Sequence, residues 1–146
     1  MDDFIERVDI RDRVAVGRAA LAAFDYAQAA DCLGDAVRDD PHNPDLRYLL
    51  ALALLGGTRP RLHSSEWIKE IGVHLRHAAE LPRARVLSAL VAEDHGLHYW
   101  LPSEALPERL AALIAQVNAG QADEIVLHVP APESGVWRAV RARCQR

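Results

Sequence analysis

The segment Pro44–Leu55, PDLRYLLALALL, is apolar on nearly every side. Proline stands in its first turn and Gly56-Gly57 follow its end, which are start and stop signals for a helix. A helix with almost no polar face must be covered from more than one direction. The rest of the chain therefore has to supply several neighbours for this one element.

Two of those neighbours are legible just upstream. Residues 26–38 place Ala29, Ala30, Leu33, Ala36 and Val37 on one stripe at helical spacing, with Asp31, Asp35 and Arg38 on a solvated outer face. DDPHNP then ends that helix, since proline cannot continue it and restricts the residue before it. Residues 10–24 read as another helix, with Val14, Val16, Gly17, Ala20 and Leu21 on the packed side. Neighbouring helices cross closely only where bulk is missing. Gly17, Ala29 and Ala36 are the expected crossing points.

Small residues at these spacings, closed by Pro41, resemble a tetratricopeptide repeat, a helix-turn-helix unit of about 34 residues. Gly17, Ala29, Ala36 and Pro41 stand where the family has its glycine, two alanines and closing proline, and Tyr26 and Leu33 suit its large apolar positions. Arg13 and Ala20 depart from the family, which favours tryptophan and tyrosine there. The resemblance implies an all-α, right-handed α-solenoid of about three antiparallel helix pairs plus a C-terminal capping helix. In that reading residues 1–146 form one domain, with repeats at about 10–43, 44–82 and 85–120 and a cap over 121–146. The second repeat takes in GGTRPRLHSS as a loop, after which Ser64 or Ser65 caps a helix over 65–80. In the third, RARVLSALVAEDH pairs with EALPERLAALIAQVNAG, where Ala112 and Ala119 repeat the spacing of Ala29 and Ala36. DEIVLHVPAPES is read as extended chain or a short degenerate helix, and Ser134 caps a last helix carrying Trp137, Val140 and Cys144.

The chain has 146 residues, half of them apolar and 26% charged, which suffices for one globular domain with a real core. Its net charge of -4 gives no footprint for nucleic acid. No window is apolar enough to span a membrane, and MDDFIERVDIRDR lacks the apolar run of a secretory leader. Abundant arginine and alanine, with Lys69 the only lysine, fit a high-GC bacterial source. Cys32 and Cys144 have no metal-type spacing and suit free thiols in a reducing cytoplasm.

Glu70, His74 and His77 share one side of a helix and offer zinc-type ligands, although a solvated polar face explains them better. Glu93 to Trp100, EDHGLHYW, sets carboxylates beside His95 and His98, but Gly96 reads as a helix cap there. No nucleophile elbow, zincin motif or phosphate loop occurs. The expectation is a non-catalytic module with no cofactor and no metal. The resemblance implies a concave surface that holds a protein or peptide partner. Mapped residue by residue, that surface comprises Arg11, Val14, Arg18, Leu21, Asp45, Tyr48, Leu52 and Leu55. Its apolar character suits an amphipathic helix, and the chain's own EIVLHV segment is the competing occupant. The alternative function is a self-associating subunit, a homo-oligomer within a larger assembly, and a third reading is a metal-dependent enzyme using Glu70, His74 and His77.

Overall fold

The computed structural model describes residues 2–96 and 106–144, with side chains from residue 11 onward. The described residues form an all-α fold. The helices are α1 (Asp2–Ala22), α2 (Tyr26–Asp39), α3 (Pro44–Leu55), α4 (Ser65–His77), α5 (Pro82–His95), α6 (Glu108–Ala115), α7 (Ala119–His128) and α8 (Gly135–Ala142). A single 3-10 turn, Pro60–Leu62, precedes α4.

Local chemistry sets most boundaries. α1 ends in a Schellman motif: Asp25 N–H donates to the Ala20 carbonyl and Phe24 N–H to that of Leu21. Phe24 takes the left-handed position usually given to glycine, at φ 62°. Asp25 then caps α2 by accepting from Gln28 N–H. Asn43 Oδ1 accepts from the amides of Asp45 and Leu46 to start α3, and Gly56 ends it in the left-handed region. Ser64 and Ser134 cap α4 and α8, accepting from Trp67 and Trp137 N–H. Pro82 opens α5, and Gly96, at φ 90°, closes it.

Consecutive helices pack on one another from α1 through α6. Gly17 is needed at the first crossing, because a Cβ there would lie 2.9 Å from Leu33 Cγ. Ala29, Leu33 and Ala36 lose all exposure in the same seam. α3 is buried throughout, from Leu46 to Ala53 apart from Arg47 and again at Leu55. Its neighbours α2 and α4 flank it, and the chain then returns: α7 packs on α3 and α5, and α8 on α5, α6 and α7.

Polar contacts fix that return. Glu93, buried in α5, accepts from the Ser134 hydroxyl at 2.5 Å and from Val136 N–H at 3.3 Å, so it caps α8 from across the core. Arg59 pairs with the nearly buried Asp94 at 2.6 Å and reaches Glu133 at 3.6 Å. Arg143 donates to the carbonyls of Val117 and Ala115, holding the α6–α7 turn against α8.

The third helix pair departs from expectation. Asn118 caps a new helix through a reciprocal capping box with Gln121, so the helix expected through Gly120 stops at Ala115 as α6, and α7 starts at Ala119. Ala112 is exposed and marks no crossing. Residues 123–128 are helical, and only the stretch after Val129 is irregular.

Enlarging Ala29 should overpack the α1–α2 seam. Ala29→Leu is expected to cost about 1–3 kcal/mol in urea unfolding. An unchanged midpoint would contradict the crossing.

Candidate functional site

Part of the surface expected to receive a partner lies beside α7. Three helices build it. α1 presents Arg18 and Leu21 one turn apart, and α3 presents Asp45, Tyr48 and Leu49 at helical spacing. α7 lays Ala122, Ile125 and the following Val129 inward, all without exposure, and turns Gly120, Glu124, Leu127 and His128 toward the seam with α1. What stays open is a cleft of about 540 Å³ between α1 and the C-terminal helices. Leu21, Leu49 and Val126 give it an apolar lining, and Arg18, Arg141, Asp123 and Glu124 supply charges of both signs. It continues into a more polar hollow of about 340 Å³ beside Asp45, Tyr48, Arg83 and Gln121.

The polar hollow has a defined electrostatic structure. Arg83 pairs with Asp45 and lies over the Tyr48 ring, 5.1 Å from its centroid. Tyr48 Oη is buried and makes no well-formed hydrogen bond, although the Glu124 carboxylate is its neighbour. Burial, and after it Glu124, pushes the Tyr48 phenol well above its ordinary range. Burial likewise raises the Glu124 carboxyl, against the pull of Arg83, Tyr48 and Arg18.

An aromatic cluster closes the other end of α7. Tyr26 Oη lies 2.8 Å from His128 Nδ1, and the two rings meet edge to face at 5.6 Å. With Tyr26 as donor, the imidazole proton sits on Nε2. Phe24 stacks on His128 at 5.6 Å, a contact that helps hold its left-handed backbone. His128 is almost fully buried, and burial lowers its pKa. Gly57 lies against the far side of Tyr26, where a Cβ would come within 2.9 Å of the ring.

The eight residues mapped from sequence therefore separate. Arg11 and Arg18 are exposed on α1, Val14 and Asp45 are half-buried, and Leu21 and Tyr48 are buried at the edge of the cleft. Leu52 and Leu55 have no exposure and are core. α7, which takes up most of the EIVLHV segment, packs on α3 with Ala122 and Ile125 buried.

Of the histidines and carboxylates considered for chemistry, His74, Glu93 and His95 hold structural bonds. His74 Nδ1 faces Arg47 Nη1 at 3.0 Å, and its pKa is lowered by burial and then by Arg47. Glu70 and His77 are exposed. Among the described residues, no three His, Cys, Asp or Glu side chains are placed to hold a metal ion. His95 Nε2 lies 3.2 Å from the His63 carbonyl, and His63 Nε2 lies 2.9 Å from that of Leu55. His98 falls outside the described residues. Burial, followed by Asp123, raises the Cys144 thiol, which makes it a poorer nucleophile. No described helix is long and apolar enough to cross a membrane.

No protein-family model, curated protein or solved structure matches this chain.

Two outcomes follow. Leu52→Asp would bury an unpaired charge, costing several kcal/mol against a total stability of roughly 5–15 kcal/mol. The variant should lose its cooperative thermal transition; folding like the parent would return that side of α3 to the surface. Because the His128 pKa is lowered from 6.5 by folding, the unfolded chain binds its proton more readily. His128 thus contributes stability above that value and loses it as pH falls toward the folded pKa. His74 acts with the same sign. The melting temperature should drop between about pH 7.5 and about pH 5.5, less steeply in His128→Gln. Equal slopes would remove His128 from this role.

Proposed function

We propose that the chain is a non-catalytic protein-binding module of a bacterial cytoplasm, tetratricopeptide-like in its first two helix pairs. It would take an amphipathic helix or peptide of a partner protein in the cleft between α1 and α7. The observation that carries this reading is the apolar surface left uncovered there. Leu127, 57% exposed, and Phe24, 52% exposed, stand beside a cleft lined by Leu21, Leu49 and Val126. Contiguous exposed apolar residues with a charged rim are the ordinary mark of an interaction site.

Two further features support it. The Gly17–Leu33 approach provides the close helix crossing that the repeat resemblance implies. His63, His95, Glu93 and Asp94 are held in a cap, an ion pair and carbonyl contacts. A mixed-charge rim with Arg18 and Arg141 facing Asp123 and Glu124 would set the orientation of a bound helix rather than its affinity.

The site relocates the partner surface from Leu52 and Leu55 to Leu127 and Phe24. Burying one leucine is worth about 1.5–3 kcal/mol, or roughly tenfold to a hundredfold in affinity. Peptides selected from a displayed library against the parent protein should bind Leu127→Asp at least about tenfold more weakly. The variant should melt with the parent, since Leu127 is exposed. Peptides that bind both proteins equally would exclude this cleft. Concentration-dependent dimerisation abolished by Leu127→Asp would favour the self-associating alternative.

A further inference from the structure

A second concavity opens on a different face, where α4, α5 and α6 meet. It consists of two adjoining hollows of about 720 and 370 Å³, which share Leu75, Arg76, Ser88 and Ala92. Its charges are segregated. Among the described residues, Lys69, Arg76, Arg85 and Arg109 line it, and no acidic side chain does. The chain as a whole has 21 acidic residues against 17 basic ones, so four cations with no carboxylate among the described lining residues run against its composition. Glu70 and Glu108, on α4 and α6, lie outside the lining.

These cations also differ from five arginines elsewhere in the molecule. Arg13, Arg38, Arg59, Arg61 and Arg83 are each paired with a carboxylate. None of the four groove cations pairs with a described carboxylate. Unpaired like charges repel one another, and a ligand carrying negative charge removes that repulsion.

The floor between them is apolar. Leu75 and Leu110 are nearly buried beneath it, while Gly72, Ala89 and Ala92 leave room for the backbone of an incoming helix to approach. An apolar floor flanked by unpaired cations is complementary to a helix with leucine-like residues on one side and carboxylates along both edges.

We propose that this groove docks an acidic amphipathic helix of a partner protein, with its carboxylates against Lys69, Arg76, Arg85 and Arg109. The site is distinct from the α1–α7 cleft, so the module would engage two segments at once.

The test is selection from a displayed library of helical peptides. Leucine is fixed at i, i+3, i+4 and i+7, and the flanking positions are free to be Glu, Gln or Lys. To keep the α1–α7 cleft out of the result, all selections use the Leu127→Asp background. Peptides recovered on that protein should favour Glu over Lys, and their affinity should fall as salt is raised. In Arg76→Glu/Arg85→Glu the preference should reverse, and a Glu-rich peptide should lose about tenfold in affinity. Melting curves of the two proteins should agree, because both arginines are exposed. Failure to recover any binder, or a charge preference unmoved by the reversal, would overturn the proposal. So would a large loss of thermal stability in the reversed variant, since the groove would then be closed by the chain itself. Equal binding of a single-stranded oligonucleotide and the Glu-rich peptide would reduce the site to a generic anion surface and overturn it as well.

Discussion

A helix with no polar side, α3, governs this fold. α2 and α4 can flank such a helix, but two sequence neighbours cannot enclose it. The remaining side is closed by α7, which arrives from near the end of the chain and buries Ala122 and Ile125 against the interior. Each large apolar side chain so buried contributes on the order of 1.5–3 kcal/mol. The hydrophobic requirement of one twelve-residue segment thus brings a late helix back onto a row of consecutively packed helices.

The return is held by unlike interactions at its ends. At one end His128 meets Tyr26 and Phe24, so the turn between α1 and α2 grips the C-terminus of α7. At the other, Asn118 and Gln121 cap its start, and Arg143 binds the carbonyls just before it. Glu93 and Asp94, adjacent on α5, anchor α8 and the 3-10 turn region through Ser134 and Arg59. Buried polar groups tolerate this only because most have partners, and the exceptions among the described residues are few: Tyr48 Oη, Arg59 Nε, Glu93 Oε2 and His95 Nδ1.

What could be read from the residues depended on how local the cause was. The limits of α3 and the start of α5 follow from Asn43-Pro44, Gly56 and Pro82, because caps and prolines act within a turn of where they stand. Gly17 and Ala29 could be placed at a crossing because missing bulk has only a few structural uses. EIVLHV was ambiguous since a short apolar run suits strand and helix alike. The deciding signal, the Asn118–Gln121 box, was present in NAGQ but lay across the end of what looked like one helix. Leu52 and Leu55 were placed on an open groove because periodicity shows which residues share a face, never what covers it. The pairings of Arg83 with Asp45 and Glu93 with Ser134 join distant parts of the chain and had no sequence signal. Sequence likewise gave no hint of the uncovered seam at Leu127 or the cationic groove, both of which are products of where the return path runs.

Both proposed surfaces presuppose that α7 is a fixed part of the core rather than a removable cover. Native-state hydrogen exchange measures this most directly, because amides of an integral helix exchange only with global unfolding. The amides of α7 from Ala122 to His128, and that of Val129, should show the same opening free energy as those of α3 from Leu49 to Ala53, and the same dependence on denaturant. Exchange of α7 through a separate, low-energy opening, with α3 still protected, would contradict the account.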